Sequence, residues 1–122
     1  MIDLAGKALT GVELDDASIL HLTIDGGWLL SVENDYELVT AEGRHRTLDE
    51  AETLMVSALT GQVGRLVRTF AIEGDGSLVV TVGDVGLSVP ASSDYESWNL
   101  VGPDRVLVVS MPGGQLATWG VA

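Results

Sequence analysis

Along most of the chain, apolar and polar residues alternate with a period of two, which is typical of half-buried β-strands. Residues 18–25 and 28–32 both follow this pattern, and the Asp25-Gly26-Gly27 segment between them is typical of a hairpin turn. Further strands are predicted over residues 36–40, 63–72, 77–82 and 87–90. The pattern therefore predicts a meander of antiparallel strands.

The C-terminal residues 95–119 read as three short strands separated by two turns. Trp98 and Leu100 share one face of the first strand, and Gly102-Pro103-Asp104 is typical of a turn. Residues 106–109 are apolar on both faces, which predicts a central strand covered on both sides. Because two of the three tryptophans, Trp98 and Trp119, lie here, we expect this segment to supply the largest buried surface of the protein.

The pattern changes to helical spacing at Thr47. Thr47-Leu48-Asp49-Glu50 fits a capping box, in which the Thr and Glu side chains each pair with a free backbone amide. Asp49, Glu50 and Glu52 would lie in the first turn, where the helix dipole favours carboxylates. We therefore predict one helix over residues 47–59, and we interpret these acids as helix-start residues rather than as a catalytic cluster.

Two short motifs recur in the same order along the chain. Ala8-Leu9-Thr10-Gly11 returns at residues 58–61, and Asp35-Tyr36-Glu37 returns at residues 94–96. These matches favour an internal repeat of residues 8–39 and 58–101, built as two duplicated β-meanders.

The fold class that follows is α+β, a mostly antiparallel sheet of about eight to ten short strands with one helix packed on it. The 122 residues fit a single domain, 1–122. So many strands need a second covering layer, which is either the sheet folded on itself or the partner subunit of a homodimer.

Charge is the strongest signal in the composition. Eighteen acidic residues against six lysines and arginines give a formal net charge of −12, which argues against nucleic acid and anionic membranes as partners. A basic protein would be attracted, and the acids expected to meet it are Asp15, Asp16, Asp49, Glu50 and Glu52. The alternative is that the acidity only keeps a small apolar domain in solution.

The sequence shows no recognisable catalytic, cofactor-binding or metal-ligating residue. The chain has no cysteine, and His21 and His45 lack the spacing of a metal site, so both are expected to be solvated. Serine-nucleophile, phosphate-loop and calcium-loop motifs are absent from the sequence. Residues 1–11 do not resemble a signal peptide and no apolar run is long enough to cross a bilayer, so we expect a cytoplasmic protein.

Tyr36 and Tyr95 each follow an Asp and precede a Glu. Each ring either anchors the start of a strand to the core or marks a rim that faces a partner.

The segment YESWNLVGPD, followed by LVVSMPGGQLATW, resembles the C-terminal signature of a family of small uncharacterised actinobacterial proteins. The resemblance covers about residues 58–119 and implies a high-GC source, which would itself explain part of the acidity. It implies no catalytic residue, ligand or partner.

Three functions follow from the sequence, in this order. The first is a non-catalytic protein-binding module, such as an immunity protein or antitoxin that masks a basic enzyme. The second is a protein that binds a small ligand in an apolar pocket between helix and sheet, lined by Trp28, Met55 and Trp98. The third is an enzyme, which would need a nucleophile or base that the sequence does not reveal.

Overall fold

The computed structural model describes residues 2–47 and 52–121. Within them the chain forms eleven strands and one helix, α1, Glu52–Thr60. The first five strands are β1 Leu9–Leu14, β2 Leu20–Ile24, β3 Trp28–Val32, β4 Glu37–Thr40 and β5 Gly43–Arg46. The strands after the helix are β6 Val67–Ile72, β7 Leu78–Val82, β8 Val85–Val89, β9 Trp98–Val101, β10 Leu107–Ser110 and β11 Leu116–Trp119.

The strands form two antiparallel sheets. The large sheet has the order β1-β2-β3-β9-β10-β11, and the small sheet has the order β5-β4-β8-β7-β6. The predicted α+β class with a single helix is therefore confirmed, with eleven strands in the described residues instead of eight to ten. The second layer that the sequence required is the small sheet itself.

The hydrophobic core lies between the two sheets. In β2, β7 and β8 every second residue is buried, which is the alternation read from the sequence. Trp98 and Leu100 are both 0% exposed, as their shared face predicted. Helix α1 packs beside β1 and adds Met55 and Leu59 to this core. The alternation of each strand therefore decides which side chains fill the space between the layers.

The C-terminal unit differs from its prediction in two respects. Strand β10 lies between β9 and the edge strand β11, so it is one strand from the edge of the large sheet rather than central. Trp119, in the edge strand, is 54% exposed. Of the two tryptophans on which the expected buried surface of this segment rested, only Trp98 is therefore buried.

The hydroxyl group of Thr47 bonds to residues 35 and 36, just before β4. It donates to Asp35 Oδ1 at 3.0 Å and accepts from the Tyr36 amide at 3.2 Å, and the Thr47 amide donates to the Tyr36 carbonyl. The described helix begins at Glu52, five residues later. In the described residues the Thr47 hydroxyl thus bonds just before β4. The amides that it was predicted to cap, and its proposed reciprocal partner Glu50, lie outside the described residues.

The two halves of the chain pair their first strands in the same register. Leu9 pairs with Ile24 and Val67 with Val82, a bulge follows each pair, and both hairpins continue without a further shift. Leu9 and Val67 are 58 positions apart in the sequence. The strand that follows each meander then joins the other half, because β4 pairs with β8 and β9 pairs with β3.

Of the two recurring motifs, the tripeptide lies at equivalent places in the two halves and the tetrapeptide does not. Thr10 and Gly11 lie in β1, whereas Ala58 and Thr60 lie at the end of α1, so the two tetrapeptides occupy different elements. Tyr36 and Tyr95 both lie just before the strand that crosses to the other sheet. The matching strand registers are 58 residues apart, whereas the tetrapeptides are 50 and the tripeptides 59 residues apart.

Two glycine turns join the sheets at one end. The Gly76 carbonyl accepts hydrogen bonds from Trp98 Nε1 at 3.0 Å and from Ser110 Oγ at 2.9 Å, both buried. Gly76 and Gly114 both have positive φ, and a Cβ at Gly76 would stand 2.2 Å from the Gly114 oxygen. Only glycine permits this approach, which fixes the turn over residues 73–77 against the turn over residues 111–115.

Candidate functional site

Negative charge is concentrated on the loops at the end of the two sheets where the turns over residues 73–77 and 111–115 meet. They cover residues 15–19, 33–36, 73–77, 90–97 and 111–115, which connect strand ends that the pairing places together. These loops, here named the acidic end, hold eight of the eighteen acids and no lysine or arginine. The eight are Asp15, Asp16, Glu33, Asp35, Glu73, Asp75, Asp94 and Glu96. Loops at the opposite end mix acids with Lys7, Arg65 and Arg105.

A groove of about 480 Å³ lies within the acidic end. It is lined by Glu33, Asp94, Tyr95, Glu96, Met111 and Pro112. The Tyr95 ring is 64% exposed and the Met111 side chain is 37% exposed. The Glu33 carboxylate accepts a hydrogen bond from Asn99 Nδ2 at 2.9 Å, which anchors it to β9. The groove thus combines three carboxylates with an exposed ring, a combination that can hold a cationic group.

Asp15 organises the neighbouring turn between β1 and β2. Its Oδ1 accepts the amides of Ala17 and Ile19, both at 2.9 Å, and its Oδ2 lies 2.8 Å from His21 Nε2. The His21 side-chain hydrogen bond, with a smaller effect from the Ile19 amide, holds the pKa of Asp15 below its ordinary value of 3.8. Asp15 is therefore a carboxylate at neutral pH and keeps a proton on His21 Nε2.

His21 continues this chain of hydrogen bonds to Ser31, since Nδ1 lies 2.8 Å from the Ser31 hydroxyl oxygen. With Nε2 protonated, a neutral His21 accepts the Ser31 proton at Nδ1. In serine hydrolases the two ring nitrogens have the reverse roles, with Nε2 towards the nucleophile. Ser31 is also only 6% exposed, so we interpret the arrangement as a support for the turn and not as a nucleophile.

From the sequence we expect a solvated His21, and the Asp15–His21–Ser31 hydrogen bonds are not predicted. The sequence does, however, indicate the contact between His21 and Ser31. The 25–27 turn sets His21 opposite Ser31 in the β2–β3 register, and both positions fall on the polar face of their strands. The contribution of Asp15 depends on the conformation of a loop, which alternation does not predict.

Tyr36 and Glu52 are brought together inside the protein. Tyr36 is 4% exposed, so of the two tyrosines it anchors a strand to the core and does not face a partner. Its hydroxyl and the Glu52 Oε2 are buried without a hydrogen-bond partner in the described residues. Burial, together with the nearby Glu52 charge, raises the pKa of Tyr36 to about 12. The Tyr36 hydroxyl therefore does not reach the surface, whereas Glu52 is partly exposed with one of its two carboxylate oxygens buried.

A second groove, of about 440 Å³, lies between α1 and the small sheet. Leu38, Leu54, Met55, Ala58 and Val85 form its apolar part, and Thr40, Glu42, His45, Gln62 and Asp84 are among its polar residues. His45 Nε2 is 3.1 Å from Thr40 Oγ1. Of the three residues predicted to line a ligand pocket, only Met55 is here. Trp98 is fully buried, and Trp28 lies over Gly102 at the far end of the large sheet.

The other predicted site residues have separate outcomes. Asp15, Asp16 and Tyr95 lie together in loops of the acidic end, whereas Asp49 and Glu50 lie outside the described residues. Across residues 2–47 and 52–121 no group of three His, Asp or Glu side chains has a geometry that could hold a metal ion. In the same residues, no helix has both the length and the apolar character needed to span a bilayer.

The fold and the site define the class of this protein. In the described residues it consists of two antiparallel sheets and one helix, and the loops at one end form an acidic surface around an exposed tyrosine. The chain belongs to a family of unknown function (DUF6188), whose model matches residues 1–120. No curated protein and no solved structure matches the chain.

Proposed function

We propose that this protein is a non-catalytic binding module whose acidic end covers a basic protein partner, in the manner of an immunity protein or antitoxin. The observation that carries the proposal is the groove at the acidic end, where Glu33, Asp94 and Glu96 surround the exposed ring of Tyr95. The five loops of this end contain no lysine or arginine; Arg44 and Arg46, in β5, line a neighbouring groove with Asp35 and Asp75. An actinobacterial source, implied by the C-terminal resemblance, would explain part of the net charge but not its concentration on these loops.

The physical basis is the recognition of arginine and lysine. A guanidinium or ammonium group can pair with one carboxylate while it stacks on a tyrosine ring, and each contact excludes water from the other. The Tyr95 ring and the Met111 thioether supply the apolar surface that interface centres require. The remaining acids of this end accelerate the encounter with a positive surface, and the association rate should therefore fall as salt rises.

The test compares two triple variants with the same change in charge. Glu33→Gln, Asp94→Asn and Glu96→Gln neutralise the groove, whereas Asp25→Asn, Asp84→Asn and Asp104→Asn neutralise three loops at the opposite end. The partner is first sought by affinity capture from the producing cell, and association rates are then measured at two salt concentrations. A labelled hexa-arginine peptide serves as a probe that requires no partner.

We expect the groove variant to slow association by roughly tenfold at low salt, and the opposite-end variant to slow it much less. Tyr95→Ala should mainly accelerate dissociation, and Tyr95→Phe, which keeps the ring, should not. Equal effects of the two triple variants would show that total charge matters and the groove does not. Turnover of a substrate, lost on a single substitution, would overturn the non-catalytic proposal.

A second candidate is a small-ligand protein that uses the groove between α1 and the small sheet. The observation in its favour is the exposure of Leu54, 64%, beside the buried Met55, which leaves an apolar wall open to solvent. Ala58→Phe should fill this groove without disturbing the acidic end. A fluorescent apolar probe, 8-anilinonaphthalene-1-sulfonate, should bind the unchanged protein and not the variant; equal binding by both would rule this groove out.

A further inference from the structure

The outer face of the large sheet differs from the rest of the surface in its charge. By strand register, twelve residues point away from the core on this face. They are Gly11, Glu13, His21, Thr23, Leu29, Ser31, Asn99, Val101, Leu107, Val109, Ala117 and Trp119. Among these twelve described positions Glu13 is the one acid, and there is no lysine or arginine. The carboxylates of Asp15 and Glu33 also reach this face from the acidic end, where they bond to His21 and Asn99. The charge of the face therefore lies at β1 and at the acidic end.

The half of this face formed by β3, β9, β10 and β11 is apolar. Leu29, Val101, Leu107 and Trp119 lie side by side in one row of paired positions across these four strands. Ala117 continues the apolar surface in the next row, where its neighbour Val109 is already buried, at 7% exposure. Val101 is 42% exposed and Trp119 is 54% exposed. The polar residues Thr23, Ser31 and Asn99 border this surface on one side, so apolar and polar positions adjoin as they do in an interface.

The charge of this face limits what can cover it. A basic protein would meet carboxylates only at the margin of this face, from Glu13, Asp15 and Glu33, and would bind better at the acidic end. A nucleic acid needs lysines and arginines, which the face lacks. A second copy of the chain has a net charge of −12 and is repelled by most of the protein surface. The apolar row from Leu29 to Trp119 carries no charge, however, so two such rows can meet at small electrostatic cost. We infer that this protein forms a twofold-symmetric dimer in which the outer faces of two large sheets pack together.

Strand β11, which has no counterpart in the small sheet, also favours a dimer through this face. The other ten strands divide into two sets of five with matching pairings: β1-β2-β3-β9-β10 in the large sheet corresponds to β6-β7-β8-β4-β5 in the small sheet. Strand β11 has no counterpart in that scheme. It places Ala117 and Trp119 on the outer face and contains no charged residue. The additional strand therefore extends the apolar surface without extending the core.

The size of the face sets the expected affinity. Six strands at about 4.8 Å spacing, with four to five residues each at about 3.4 Å, give a face of roughly 25 by 15 Å. This is smaller than the ~800 Å² per partner of a standard interface. We therefore expect a reversible dimer that dissociates at micromolar concentrations, not a permanent one.

The experiment measures mass by sedimentation equilibrium from about 1 µM to 1 mM, a range that brackets a micromolar dissociation constant. The protein should change from 12.8 kDa to twice that mass as its concentration rises. Val101→Glu should remain a monomer over the whole range. Val39→Glu is the matched control, because Val39 is 41% exposed on the outer face of the small sheet and Val101 is 42% exposed. Circular dichroism of both variants establishes that each is folded.

A monomer mass for the unchanged protein at every concentration would overturn the inference. Equal loss of the dimer in both valine variants would show that another surface is used, and a mass that grows beyond two copies would indicate open-ended association. The dimer should also tighten as salt rises, because salt screens the repulsion between two negative chains. This response is opposite to the one expected for a basic partner, so failure of the dimer and failure of the proposed function can be distinguished.

Discussion

At the scale of single residues, identical local sequences have opposite environments in this protein. Tyr36 and Tyr95 both stand between Asp and Glu, yet Tyr36 is 4% exposed and Tyr95 is 64% exposed. Trp98 and Trp119 both lie in strands of the C-terminal unit, yet only Trp98 is covered by the second sheet. Burial of an aromatic ring is therefore decided by the layer opposite it and not by its neighbours in sequence.

The contrast between the two tryptophans gives a stability prediction. Trp98→Ala should lower the free energy of unfolding by about 3–5 kcal/mol, because it removes a fully buried ring and leaves a cavity. Trp119→Ala, the matched control, should change stability by less than about 1 kcal/mol in dilute protein, since the ring is half exposed. Urea unfolding of both variants decides the matter. Similar losses in the two would contradict the assignment of the core.

Asp15 gives a prediction for the dependence of stability on pH. Its pKa is lowered by folding, so its charge stabilises the native state above pH 3.8, and this contribution is lost as the pH falls through the lower native pKa. Asp15→Asn keeps the shape of the side chain and removes the titrating group. Compared with the unchanged protein, the variant should be less stable at pH 7 and should lose less stability on acidification to pH 3.

The neighbouring residue supplies the control for this experiment. Asp16 is exposed in the same turn, and Asp16→Asn should behave at both pH values like the unchanged protein. If the two Asn variants respond identically to acid, the bonds from Ile19 and His21 to Asp15 do not stabilise the turn.

At the scale of elements, the β-hairpins follow from local sequence, whereas the hydrogen-bond partners of Thr47 do not. The 25–27 turn joins β2 to β3 as its Asp-Gly-Gly composition predicts. Thr47 has a suitable sequence for a helix cap, yet its hydroxyl also bonds to Asp35 and Tyr36, just before β4. A capping motif thus predicts what a side chain can do, and the packing of neighbouring elements decides which partner it has.

Thr47→Ala tests this assignment of the hydroxyl. The substitution should cost about 1 kcal/mol of stability, because the Tyr36 amide loses its acceptor. Thr47→Ser, which keeps the hydroxyl, should cost clearly less. Amide hydrogen exchange separates the two roles: faster exchange at Tyr36 and in β4, with α1 unchanged, is expected. Faster exchange at the start of α1 alone would restore the capping role.

At the scale of the whole molecule, the fold separates two kinds of surface that the composition averages together. Eight of the eighteen acids lie on loops at one end, whereas the row of Leu29, Val101, Leu107 and Trp119 on the outer face of the large sheet is uncharged. Each half of the chain gives its fourth strand to the other half's sheet. This exchange brings loops from distant parts of the sequence to the same end, which is how Asp15, Glu33 and Asp94 share one surface.

The two surfaces should respond to salt in opposite directions. Raising ionic strength from about 0.01 to 0.15 M shortens the screening length from about 30 to 8 Å. Binding of the hexa-arginine probe at the acidic end should weaken over this range, and self-association through the outer face should strengthen. Isothermal titration of the peptide and sedimentation of the protein alone, in the same buffers, measure both. A common direction for the two would contradict the separation of the surfaces.

The sequence alone determined the fold class, the faces of most strands and the hairpin turns, because alternation and turn composition act over a few residues. Membership of the two sheets, the edge position of β11 and the opposite exposures of Tyr36 and Tyr95 depend on which distant strands pair. The Asp15–His21–Ser31 chain needs both a strand register and a loop conformation, and the acidic end needs the exchange of β4 and β9 between the halves. Local sequence limits what each segment can form, but contacts between remote segments are settled by the packing of the complete core, so only the tertiary structure decided them.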